Sequence, residues 1–117
     1  MIEEMVRTAV AALDSKKGFN LKVLKVEGLT SLADWFVLCN GSSNTQVGAL
    51  ADECEFKMKE AGYTLLHREG REEGTWVLLD YGDVIVHVFT RETRDFYKLD
   101  HFWKDGVEID VKELLGE

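Results

Sequence analysis

No apolar stretch in this chain approaches the roughly 20 residues that carry a helix across a bilayer, so no membrane association is expected. Basic residues are also scarce. The 14 Lys and Arg stand against 22 Asp and Glu, for a formal charge of −8. Such a surface repels phosphate backbones, so little or no direct nucleic-acid binding is expected, and a basic protein is the better partner. The start, Met1-Ile2-Glu3-Glu4, has neither the charge pattern of a signal peptide nor the arginines of a transit peptide, and a cytoplasmic location is expected. The only two cysteines, Cys39 in an expected strand and Cys54 in an expected helix, read as buried free thiols. His67, His87 and His101 share no metal-ligand spacing with each other or with the cysteines, so no metal or other cofactor is expected. Repeats, linkers and low-complexity tracts are absent as well. A chain of 117 residues, 45% hydrophobic and 31% charged, is therefore read as one domain over 1–117, with its core at about 2–103 and an unassigned tail at 104–117.

Hydrophobic periodicity supplies the elements. Ile2, Met5, Val6, Ala9, Val10 and Leu13 recur at helical spacing, and Lys16-Lys17-Gly18 makes a basic last turn with a terminal glycine. Phe19 to Val26 reads as a strand. Asp34 to Asn40 is apolar almost without break, as in a central strand covered on both faces. Ser43 and Gln46 form a capping-box pattern ahead of a stripe of Val47, Leu50, Ala51, Cys54 and Met58, which leaves Phe56 on the opposite side. Tyr63 to Glu69 is a third strand, and Gly70 to Gly74 an exposed loop. Thr90 can cap a last helix through about Trp103, with Phe96, Leu99 and Trp103 facing inward. The order α-β-β-α-β-β-β-α predicts an α/β fold with a mixed five-stranded sheet and helices mainly on one face.

The most informative run is Trp76-Val77-Leu78-Leu79-Asp80-Tyr81-Gly82-Asp83-Val84-Ile85-Val86-His87-Val88-Phe89. It reads as a hairpin with its turn centred on Tyr81-Gly82, so that Leu79 faces Val84, Leu78 faces Ile85, Val77 faces Val86 and Trp76 faces His87. Period-2 geometry sorts Val77, Leu79, Val84, Val86 and Val88 onto one face, which is ordinary core. The other face carries Trp76, Leu78, Ile85, His87 and Phe89, apolar but with an ionisable ring and a Trp. Asp80 and Asp83 are expected to face each other across the turn, where like charges are unfavourable unless solvent or a partner's cation compensates them. An aromatic anchor ringed by charge is how interface centres are built.

Catalytic readings are thin. Gly41-Ser42, between a strand and a helix, resembles the phosphate-holding step of nucleotidyltransferases, but a turn with an N-cap accounts for it. No Asp-x-Asp pattern follows to bind metal. His87 has no Ser, Cys or carboxylate beside it in this register, so no catalytic residue is assigned. An enzyme acting on a nucleotide or RNA end stays as the alternative.

The stretches Leu29 to Val37, Gly41 to Val47, His67-Arg68-Glu69-Gly70, Trp76 to Phe89, and Phe96-Tyr97-Lys98-Leu99 together resemble the Iojap/RsfS family of ribosomal silencing factors. The likeness runs in order over about residues 5–103. Trp35 and Thr45 depart from it, standing where Tyr and Arg are expected. The resemblance implies a nucleotidyltransferase-like α/β domain without enzymatic activity. It implies binding to the fourteenth protein of the large ribosomal subunit, a steric block to subunit joining, and lowered translation when nutrients are scarce. A role in large-subunit assembly and a homodimer of the free protein are also compatible with it. Carried onto this chain, Trp76 and Leu78 would be apolar anchors, with His87 and Phe89 extending the patch. Asp80 and Asp83 would receive Lys or Arg, Tyr81 would present its ring and hydroxyl at the turn, and Tyr97 and Lys98 would add weaker contacts. Helices on one side would leave the Trp76/His87 face open.

Overall fold

A computed structural model describes residues 2–98, 101 and 104–116. The chain runs α1 (Ile2–Ser15), β1 (Phe19–Lys25), β2 (Trp35–Gly41), α2 (Asn44–Glu60), β3 (His67–Arg71), a short 3-10 turn at Glu72–Gly74, β4 (Trp76–Asp80), β5 (Val84–Thr90), α3 (Arg91–Phe96), β6 (Val107–Ile109) and α4 (Val111–Leu115). The strands form one sheet in the order β3-β4-β5-β2-β1-β6. Among the described residues only β2 and β5 pair parallel, so the sheet is mixed, as expected. It has six strands rather than five. β6 pairs antiparallel with β1 through Val23–Ile109, Leu24–Glu108 and Lys25–Val107. Three largely exposed residues carry no alternation to read, which is why the tail had no assignment. α4 follows because Asp110 caps it, its side chain accepting from Lys112 N at 2.9 Å, and it places Leu114 in the core.

β2 is buried at all seven positions, because the helices cover one face of the sheet and a second apolar cluster covers the other. α1, α2 and α4 pack on the first face, over Val23, Val37, Cys39, Leu79, Val86 and Val88. The second face holds Leu24, Val26, Ala33, Phe36, Leu38, Trp76, Ile85 and Phe89. No helix among the described residues is long and apolar enough to cross a membrane.

Local chemistry fixes the joints. Ser43 Oγ accepts from Gln46 N at 3.1 Å, and Gln46 Oε1 accepts from the Ser42 amide, so the expected capping box forms one residue early on its return arm. The Gln46 side-chain Nε2 also donates to the Lys16 and Lys17 carbonyls at 3.3 Å, tying the start of α2 to the end of α1. The α1 terminus departs from expectation, since the left-handed residue is Lys17 (φ 64), not Gly18. Gly18 is required by space instead: a Cβ there would lie 2.4 Å from Cys39 Sγ. Both cysteines are free and buried.

Candidate docking surface

The hairpin forms, with a register two residues away from the expected one. Trp76 pairs with Phe89, Leu78 with His87 and Asp80 with Ile85, and the Tyr81 amide donates to the Val84 carbonyl at 2.9 Å. The turn therefore centres on Gly82-Asp83. Gly82, at φ 90, fills the first central position, where a two-residue hairpin turn that follows the strand twist needs a positive φ. A shift of two preserves the parity of side chains, so both faces keep their predicted members.

Beneath the second face lies an aromatic cluster. The Trp76 indole N–H donates to His87 Nδ1 at 3.3 Å. Trp76 lies 5.6 Å from the Tyr97 ring centroid and 6.1 Å from Phe89, and Phe36 meets His87 edge-on at 5.2 Å. Edge-to-face and offset contacts at these separations add to the burial of each ring. The face is not open: Trp76 and His87 are 8% exposed, Ile85 is 6% exposed and Phe89 is fully buried. The side chains left at the surface are half-buried Leu78, Asp80 and Tyr97, with exposed Asp83 and Lys98. Phe96, expected to face inward, is 77% exposed, because α3 is short and turns that position outward. Leu99 and Trp103 lie outside the described residues.

The two aspartates do not oppose each other. Asp80 Oδ1 accepts the Gly82 amide at 2.8 Å, an Asx turn that commits this carboxylate locally. Asp83 lies in the turn with its side chain exposed, and its carbonyl accepts from Asp34 N at 2.9 Å and Trp35 N at 3.0 Å. Those bonds dock the 27–34 loop beside the turn. Tyr81 also differs from expectation. It points to the helix-covered side, where it is buried with the first cluster, and burial raises its phenol above the ordinary range.

Two features were missed from sequence. The 27–34 loop sends Ala33 into the second cluster and leaves Leu29 and Leu32 exposed. Arg94 is buried, donating to Asn40 Oδ1 at 2.7 Å and to the Asn20 carbonyl at 2.8 Å, with its guanidinium 5.4 Å from the Phe89 ring. It holds the irregular start of β1, where Asn20 takes φ 50, against the end of β2. The signal available was the capping pair, since Thr90 Oγ1 accepts from Thr93 N at 3.3 Å and fixes the helix that carries Arg94. Nucleophile chemistry is disfavoured at the thiols. Burial pushes both Cys39 and Cys54 up to about 12, so both stay protonated near neutrality.

The family model described as "Ribosomal silencing factor during starvation" matches residues 1–117. A ribosomal silencing factor from Halalkalibacterium halodurans is 36% identical over 97% of each chain. A crystal structure of a Chromobacterium violaceum protein superposes with a TM-score of 0.85 at 41% identity, covering 89% of this chain and 87% of that one. A more distant relative is a mouse protein named for mitochondrial assembly of the ribosomal large subunit. It is 24% identical over 80% of this chain and 42% of its own. With the match spanning the whole sequence and a fold shared at 41% identity, the chain belongs to the ribosomal silencing factor family.

Proposed function

We propose that this protein represses translation by binding the fourteenth protein of the large ribosomal subunit and sterically preventing the small subunit from joining, as a cytoplasmic regulator without catalytic activity. The observation that carries this reading is the hairpin surface. An exposed aspartate turn, with half-buried Leu78 in the strand leading to it, is bonded to a neighbouring loop that leaves Leu29 and Leu32 exposed, on a domain of net charge −8. Carboxylates beside apolar side chains suit a basic protein face, giving both steering and a desolvated centre. Leu78, Asp83, Tyr97 and Lys98 are the proposed contacts, with Asp80 a lesser one because its carboxylate also holds the Gly82 amide. Trp76, His87 and Phe89 act from beneath, setting the height and rigidity of the strands that present them.

The proposal of a non-catalytic role draws on the same geometry. Asp80 serves its own turn, and among the described residues the strand registers pair no two carboxylates as a nucleotide-handling enzyme would need. The name of the mouse relative points to the large subunit as the partner. Purified protein added to isolated subunits is expected to reduce the yield of joined ribosomes in a gradient. It should also co-sediment with the large subunit alone. Normal joining at saturating protein would sink the mechanism, and saturable metal-dependent ATP or CTP binding by calorimetry would revive the enzyme.

A further inference from the structure

The other side of the sheet carries a cavity of about 550 Å³ between α2, the connection to β3 and the β4–β5 turn. Its volume is that of sites for small organic ligands, roughly 300–1,000 Å³. Phe56, Tyr63, Leu65 and Tyr81 supply rings and apolar wall, and Glu55 and Lys59 belong to the same lining. Two observations separate it from a mere dent. Phe56 is 55% exposed, a large ring left to water at the cavity wall, away from the buried stripe of α2. Tyr81 is 6% exposed, and its hydroxyl is buried with no hydrogen-bond partner among the described residues. A buried hydroxyl in that state is costly, and a phenylalanine would fill the same space without it.

Charge narrows the class of ligand. Arg68 bonds Asp52 at 2.8 Å and Glu55 at 3.5 Å, and Lys59 is the other cation of the lining, a local balance of two against two. No net local field selects an ion, and the overall charge of −8 disfavours anions. We propose that this cavity binds a small uncharged planar ring compound, stacked against Phe56 and Tyr63, whose one hydrogen-bonding ring atom meets the Tyr81 hydroxyl. The incoming ring would displace Glu55, which shares the cavity lining with Tyr81. Glu55 is 39% exposed in the longer of the two Arg68 contacts, and exposed pairs of this kind hold weakly.

Indole and quinoline are matched probes: both are flat two-ring compounds, one offering a ring N–H and the other a ring acceptor. Each is titrated into isotope-labelled full-length protein while amide shifts are followed at Lys59, Tyr63, Thr64 and Leu65. At least one should bind saturably at those amides. Binding of indole alone means that the phenol oxygen accepts, and binding of quinoline alone means that the hydroxyl donates. Tyr81→Phe should weaken the binding about tenfold, the loss of one neutral hydrogen bond, while leaving the thermal midpoint unchanged or higher. Phe56→Ala, on an exposed helix face, should weaken both rings without threatening the fold. The proposal is overturned if neither probe saturates in the millimolar range. It is also overturned if Tyr81→Phe lowers the midpoint and leaves affinity untouched, the signature of a hydroxyl satisfied by water.

Discussion

The two faces of the β4–β5 hairpin are built from neighbouring residues and are held by different physics. The helix-covered face uses Val77, Leu79, Val84, Val86 and Val88, side chains with no polar atom, and its cohesion is area removed from water. The second face uses Trp76, His87 and Phe89, with Phe36 and Tyr97 against them, and adds a directional bond between an indole and an imidazole. The first needs only volume. The second needs volume and one geometry, because a misplaced Trp76 leaves its N–H or the imidazole nitrogen without that bond. A face meant to hold surface side chains at fixed positions gains from that rigidity, whereas a buried core does not require it.

The largest test separates anchoring from contact. Trp76→Ala deletes a side chain that is 8% exposed, and it should cost about 3–5 kcal/mol in denaturant unfolding. Its loss of subunit binding would then report a damaged scaffold. Trp76→Phe keeps most of the ring and removes the donor, so it should cost only about 1 kcal/mol. If Trp76→Ala proves as stable as the parent while binding vanishes, Trp76 is a contact residue and the supporting role is wrong. On the opposite face, Leu79→Ala, at a fully buried position, should cost about 2–5 kcal/mol. Below its unfolding midpoint it should still block subunit joining. A folded Leu79→Ala protein that no longer blocks joining would erase the distinction between the faces.

A pH-dependent effect belongs to the first face. Both thiols have folded pKa values raised by burial, from near 9 up to about 12. A raised value means that the folded state favours the protonated thiol. Its stabilising contribution is complete below the unfolded value and is lost as pH climbs from about 9 to about 12. Unfolding free energy should therefore fall across that window, and replacing Cys39 and Cys54 by alanine should flatten the slope. An unchanged slope in the double variant would mean that the thiols are not the groups responsible.

What was legible in the sequence follows from these differences. Period-2 alternation identified both faces of the hairpin, because parity survives a shift of two residues, while the register itself depended on where Gly82 falls in the turn. Capping chemistry located the starts of α2 and α3. Alternation could not show that the Trp76 face is packed over, since a buried and an exposed apolar face read alike. Tyr81 was misplaced for a related reason. A turn position alone points a residue to the surface, yet parity with Leu79 sends Tyr81 to the helix side. Arg94 was invisible because its partners, Asn20 and Asn40, come from strands 74 and 54 residues away.

The smallest effect is the most discriminating, because Asp80 and Asp83 differ by one hydrogen bond. Asp80 accepts the Gly82 amide at 2.8 Å, a role that the carbonyl of an asparagine side chain can also fill. Asp80→Asn should therefore change stability by no more than a few tenths of a kcal/mol and weaken large-subunit binding little. Asp83→Asn is equally mild for the fold, since the Asp83 side chain is exposed and its carbonyl makes the structural bonds. It removes the charge that faces outward, so binding should weaken severalfold, and more at low salt than at high. Asp83→Lys should exaggerate this to at least about tenfold, roughly 1.4 kcal/mol, with the fold intact. Sedimentation with the large subunit at two salt concentrations measures all three. If Asp80→Asn proves the more damaging while Asp83→Lys binds normally, the turn presents its other carboxylate to the partner, and the assignment of Asp83 as the outward charge fails.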